Sequence, residues 1–206
     1  MDKFNDLKLF VDRRFFTNTY LLYKNNKCVV IDPSINDDKI ISFLQQHNLK
    51  LVGIILTHAH YDHIGNSFTL AKQHDVKIYI SKYEWQTLKD GTCANELGAQ
   101  PPYIDKLLIV DINRNTLTID NFNFDILYFA GHTPGGICLK YQNYVFSGDS
   151  IFFNAIGRTD LIYGNQNDMN KNIKIFLNTY SDENIIFPGH GQSGTLKEIK
   201  QNNTFL

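Results

Sequence analysis

Short apolar runs separated by polar turns set the rhythm of the chain. Residues 7–11 and 20–23 read as strands, Asn25-Asn26-Lys27 as a turn, and 28–31 as a resumed strand. This opening predicts an antiparallel meander, stopped at Asp32-Pro33-Ser34. The period then changes. Residues 37–48 place Ile40, Ile41, Phe43 and Leu44 on one helical side, with His47 at the solvated end. Residues 51–56 form a continuous apolar run, the pattern of a buried parallel strand. A helix over 67–74 turns Phe68, Leu70 and Ala71 inward, and His74 at its end suits the helix dipole. A strand at 76–80 and a helix at 81–89 follow. Residues 90–106, with Gly91, Gly98, Pro101 and Pro102, read as an irregular loop of the kind that covers a site. Residues 107–110, 117–119 and 124–129 alternate like antiparallel strands. Further apolar strands stand at 144–146 and 185–187, and a final helix closes the pattern. The sum predicts an α/β (α+β) chain: two sheets packed face to face with helices outside, in a single domain spanning 1–206.

Composition changes this picture little but excludes much. Of 206 residues 43% are hydrophobic, enough for a sizeable core, and the formal net charge is -1. Such a balance gives no bulk attraction to nucleic acid or a membrane surface. The first residues lack a basic segment followed by an apolar one, and no apolar run reaches membrane-spanning length. Cys28, Cys93 and Cys138 are widely spaced and form no C-x-x-C, as expected of reduced thiols in a cytoplasmic protein.

The chemistry lies where the apolar runs end. After residues 51–56 comes Thr57-His58-Ala59-His60-Tyr61-Asp62-His63-Ile64-Gly65-Asn66. In an extended stretch His58 and His60 project to the same side and can grip one ion. If the chain turns at Asp62, the pair Asp62 and His63 can address a second ion beside the first. Three later strand ends carry the same kind of residue: His132 in Ala130-Gly131-His132-Thr133-Pro134-Gly135-Gly136, Asp149 in Ser147-Gly148-Asp149-Ser150, and His190 in Pro188-Gly189-His190-Gly191. Imidazoles with carboxylates and no thiolate suit zinc, iron or manganese. A carboxylate can bridge two ions, and Asp149 is the natural candidate. Asp32, at the mouth of the sheet, either supports the metal loop from behind or caps a turn.

On these motifs the chain resembles the metallo-β-lactamase superfamily, whose fold is an αββα sandwich of two mixed sheets with a dinuclear site on its edge. The resemblance implies two divalent cations, most readily Zn2+. His58, His60 and His132 would hold the first; Asp62, His63 and His190 the second; Asp149 would bridge. Within the superfamily the chain is similar to the short, single-domain glyoxalase II (hydroxyacylglutathione hydrolase) group. That similarity rests on Gly148-Asp149-Ser150-Ile151-Phe152, Ile156-Gly157-Arg158-Thr159-Asp160, Phe187-Pro188-Gly189-His190-Gly191 and the ending Lys200-Gln201-Asn202-Asn203-Thr204-Phe205-Leu206. Full-length members add a helical, glutathione-binding domain, for which little chain remains after His190. Gly136 stands where many relatives have a second, non-ligating His.

The function so implied is thioester hydrolysis of a small acyl-thiol such as S-lactoylglutathione, by a hydroxide held between the metals and oriented by Asp62. Arg158 is a candidate contact for a substrate carboxylate, against the alternative of a local ion pair with Asp160. Tyr103 and Tyr163 are candidates to line the mouth. A mono-iron persulfide dioxygenase of the same superfamily is the nearest rival. A β-lactamase or a nuclease is less favoured, and a binding module on a decayed site is the non-enzyme alternative.

Overall fold

A computed structural model describes residues 6–34, 38–90 and 109–206. The chain opens with β1 (Leu7–Val11), β2 (Asn18–Lys24) and β3 (Lys27–Ile31), an antiparallel meander as expected. Asn25 and Asn26 make the two-residue turn in left-handed conformation, φ 52 and 57, which their short polar side chains tolerate. Helix α1 (Asp38–Gln46) returns the chain to β4 (Lys50–Ile55), parallel to β3. Ile40 and Leu44 are its buried positions, while Ile41 and Phe43 are half-buried. His47 is exposed, but its ring lies 4.2 Å from that of Phe43 rather than standing free in solvent.

Beyond β4 come α2 (Tyr61–Ile64), α3 (Ser67–His74) and β5 (Ile78–Ser81), then a 3-10 turn (Lys82–Glu84), α4 (Trp85–Asp90) and β6 (Ile109–Ile112). Here one expectation fails. The strand near 107–110 does not join the antiparallel run after it; β6 pairs parallel with β5 and closes the first sheet. The chain between β5 and β6 is long enough for the crossover that parallel pairing requires. The expected loop at 90–106, with Cys93 and Tyr103, falls outside the described residues except for its first position.

The second sheet holds β7 (Thr116–Ile119), β8 (Phe122–Tyr128), β9 (Ile137–Tyr141), β10 (Tyr144–Gly148), β11 (Ile185–Pro188) and β12 (Gly194–Thr195), in the order β12-β11-β10-β9-β8-β7. Its one parallel pair is β10 with β11, linked through α5 (Gln166–Thr179). Helix α6 (Leu196–Asn202) follows β12 and begins with a capping box between Thr195 and Glu198.

Alternation along the strands builds three apolar layers. Val29 and Ile31 of β3 meet Ile137, Leu139, Phe146 and Phe187 of the second sheet, while Cys28 and Val30 face the α1 and α3 side. Cys138, Val145 and Ile186 point the other way, onto Met169, Ile173 and Phe176 of α5 and Leu196 and Ile199 of α6. The result is the αββα sandwich. Cys28 and Cys138 sit buried in opposite outer layers, and burial pushes each thiol up to about 12. They serve as small apolar groups.

Candidate metal centre

Both sheets release their ligand-bearing turns at one edge. The chain leaves β4 extended through His60 (φ -66, ψ 144) and turns at once into α2. His58 and His60 therefore share a side, while Asp62 and His63 are swung to a second position. The second sheet delivers His132 after β8, Asp149 after β10 and His190 after β11. Backbone bonds tie the two edges together: Asn18 N donates to Gly189 O (2.7 Å) and Ile137 N to Thr57 O (2.9 Å).

Among the described residues three groups have their ligand atoms within 4.8 Å of one another: the trios His58–His60–His132 and Asp62–His63–His190, and Asp32–His58–His63, which joins them from behind. His58 Nε2 lies 3.1 Å from His60 Nδ1, and His63 Nε2 lies 3.4 Å from His190 Nε2. Two nitrogens bound tetrahedrally at zinc distances would stand roughly 3.3 Å apart. Asp149 spans the trios. Its Oδ1 is 3.3 Å from His63 Nε2, and its Oδ2 is 3.5 Å from His132 Nε2 and 3.4 Å from His190 Nε2. Every histidine and carboxylate that the sequence singled out as a ligand is thus brought to one place.

The far nitrogen of four rings is tethered. His132 Nδ1 donates to Arg158 O (2.7 Å) and His190 Nδ1 to Phe16 O (3.3 Å). His63 Nδ1 donates to Asp32 Oδ2 (2.9 Å). The Thr57 hydroxyl donates to Asp32 Oδ2 (2.6 Å) and so accepts from His58 Nδ1 (3.0 Å). Each tether places a proton on Nδ1 and aims Nε2 at the trios. The Nε2 of His132 is buried with no hydrogen-bond partner among the described residues. A buried bare nitrogen of this kind fits a cation and is costly without one.

Asp32 is resolved in favour of support rather than turn capping. Its backbone is left-handed at φ 50, which carries the carboxylate back onto Thr57 N (2.7 Å), Thr57 Oγ1 and His63. Thr17 Oγ1 donates to Asp62 Oδ2 (2.7 Å), a contact that no local pattern announces. Gly189 gives the site its closeness: a Cβ there would collide with Asp149 Oδ1 and stand 2.6 Å from His63 Cε1.

Protonation divides the trios. Burial, then the neighbouring imidazoles, hold His58 well below its ordinary value and His60 down to about 3. Burial also pulls on His63 and His190, but the Asp62 and Asp149 carboxylates overcome it. They raise His63 well above the usual range and His190 to about 9. Asp62 falls to about 2, burial being outweighed by His63 and His190, and Asp149 is held well below its ordinary range for the same reasons.

Arg158 forms a bidentate ion pair with Asp160 (Nε to Oδ1 3.0 Å, second bond 2.9 Å) on the exposed surface. Tyr163 is exposed, with φ 68. The opening of the site is on the side of His190, whose side chain is 30% exposed. There a cavity of about 520 Å³ is lined by Phe152, Phe153, Asn154, His190, Gln192 and Asn202. Like Thr17, Glu84 escaped sequence reasoning altogether: it is wholly buried, and its carboxylate accepts from Ala59 N (3.0 Å) and Gly135 N (2.7 Å). Burial pushes its carboxyl up, against the pull of Thr133 and the two amides.

The chain is similar to known proteins in sequence and in fold. The hydroxyacylglutathione hydrolase GloC of Haemophilus influenzae is 32% identical over 202 residues, 93% of each chain. The B3 metallo-beta-lactamase BLEG-1 superposes with a TM-score of 0.90 at 30% identity, covering 97% of this chain and 99% of that one. TTHA1623, solved in a di-iron-bound form, gives 0.86 at 26% identity, covering 97% and 100%. No helix among the described residues is long and apolar enough to cross a membrane. The sequence profile of the metallo-beta-lactamase superfamily matches residues 12–190, from the β1–β2 turn to the last histidine of the centre, and the chain belongs to that superfamily.

Proposed function

We propose that the protein is a metal-dependent hydrolase that cleaves a small acyl-thiol, a thioester of the S-lactoylglutathione kind, at a two-cation centre. The observation that carries this reading is the reach of one carboxylate, Asp149, across two trios whose spacing suits one cation each. His58, His60 and His132 would hold the first cation, and Asp62, His63 and His190 the second. Two divalent cations there would lower the pKa of a shared water to roughly 7 and stabilise the departing thiolate.

The residues of the chain do the rest. Asp62, fixed by Thr17, presents its carboxylate beside His190 and can orient the attacking water by accepting its proton-bearing edge. His190 stands at the wet margin, so the substrate enters along Phe152 and Phe153, in a cavity of ordinary ligand size. Arg158 would meet a substrate carboxylate by exchanging it for Asp160, an exposed partner that solvent already screens. The GloC likeness supports a thioester; the BLEG-1 likeness makes a β-lactam the comparison substrate.

Elemental analysis of the purified protein, paired with thiol release from S-lactoylglutathione and simpler thioesters, tests this. Two cations per chain, with cleavage that chelation abolishes and zinc, iron or manganese restores, is the expected result. One iron per chain, with oxygen uptake on a thiol persulfide and no thioester cleavage, would replace it with the dioxygenase reading. Opening of a β-lactam alone would replace the substrate class.

A further inference from the structure

The two ligand loops of the three-histidine trio come from opposite sheets. His58 and His60 leave β4 of the first, and His132 leaves β8 of the second. Their separation must be held to a few tenths of an ångström if one small cation is to be shared. Glu84 lies between them. The turn after β5 lifts it beside the His58 loop, and Ser81 Oγ accepts from Tyr83 N (3.3 Å) to fix that turn. One carboxylate oxygen takes the amide of Ala59, which stands between the two histidines of the first loop. The other takes the amide of Gly135 in the second. Gly135 is pressed onto this turn: a Cβ would meet Glu84 N and Tyr83 C at 2.6 Å, so the loop of His132 cannot sit closer. A wholly buried carboxylate is an expensive way to join two loops when an apolar contact could do the same. It does supply two charge-assisted bonds of fixed direction.

We propose that Glu84 is the positioning residue of the three-histidine site, setting the distance between the His58/His60 pair and His132 by gripping the Ala59 and Gly135 amides. The carboxylate touches neither cation nor substrate and acts through backbone. It does not act on the other trio, which rests on Asp32, Thr17 and the Phe16 carbonyl. The proposal rests on the reading that the trios hold cations.

Cobalt(II) titration separates the two sites. In a His190→Ala background the three-histidine site is read alone; in a His132→Ala background the other is. Glu84→Gln replaces one acceptor oxygen by an amide NH2 that cannot bond an N–H. Cobalt affinity in the first background is expected to fall by about 10–100-fold, as for lost outer contacts of metal ligands, with a changed visible spectrum. In the second background affinity and spectrum stay as they were. Glu84→Asp, which keeps the charge and the fold but shortens the reach, is expected to lose less than Glu84→Gln, in the first background only. Equal loss in both backgrounds would make Glu84 a general structural residue and overturn the proposal, as would no loss in either. Failure of the His190→Ala protein itself to bind cobalt would overturn the metal reading, and this inference with it.

Discussion

The two trios use the same residue types and live under different rules. His58, His60 and His132 are buried, include no carboxylate, and are held by a carbonyl, a hydroxyl and a grip on neighbouring amides. Asp62, His63 and His190 carry their own counter-charge, and His190 is open to solvent. Without metal, His63 and His190 of the second trio can satisfy its carboxylates with protons, whereas His58 and His60 of the first resist protonation. A dinuclear centre need not therefore be two equivalent sites. A cation entering the second trio would have to displace hydrogen ions that His58 and His60 of the first do not hold.

The largest effect should come where the comparison ends, at the shared residue. Asp149→Asn removes the carboxylate that lies beside the Nε2 atoms of His63, His132 and His190, and thioester cleavage should fall by at least roughly 10²–10³-fold, the scale of a lost charge-stabilising group. Steady-state kinetics at saturating metal would show it; an effect under tenfold would mean that the trios work separately.

Next in size is a loss shared by both sites. Asp32→Asn should weaken each by about 10–100-fold, the site of His63 directly and that of His58 through Thr57, in contrast with the one-sided effect expected at Glu84. Isothermal titration with one trio disabled at a time measures it. Loss confined to one site would break the link through Thr57.

Acidity gives a smaller, signed effect. His190 is held up to about 9, so its protonation stabilises the metal-free fold fully below the unfolded value of 6.5 and ceases to as pH rises through about 9. His60 is held down to about 3, so between about 3 and 6.5 the unfolded chain takes a proton that the folded chain refuses. Stability from that residue therefore rises with pH across the window. The metal-free protein should melt highest near neutrality and decline on both sides, and cation loading should flatten the alkaline decline. A melting temperature that rises steadily from pH 6.5 to 9 in metal-free protein would contradict the assignment. Smallest of all, Arg158→Ala should raise KM by a few-fold, leaving kcat and metal content unchanged, because it removes a solvent-screened contact with a substrate carboxylate and, from the protein itself, only the exposed ion pair with Asp160.

The candidate ligands were legible because each lies at or just beyond the end of an apolar strand, where sequence spacing translates into position. The pairing of His58 with His60 follows from strand alternation alone, and the turn that separates Asp62 and His63 from them was one of two readings, decided by the helix at Tyr61–Ile64. Their supports were not legible to the same degree. Asp32 was visible as a carboxylate at the mouth of the sheet, but its backbone conformation at φ 50, which aims it at His63, has no signature in Asp32-Pro33-Ser34. Glu84 sits in a stretch that reads as the start of an ordinary helix, and its partners Ala59 and Gly135 are 25 and 51 residues away. Likewise the antiparallel reading of residues 107–110 followed local alternation, whereas pairing was decided by the long crossover from β5. What the chain writes locally can be read; what two distant loops settle between them cannot.

Anomalous diffraction from crystals loaded with zinc, iron or manganese tests the central claim most directly. Two peaks per chain are expected, one within bonding distance of His58, His60 and His132, the other of Asp62, His63 and His190, with Asp149 touching both. A single peak, or cations bound elsewhere, would contradict the account.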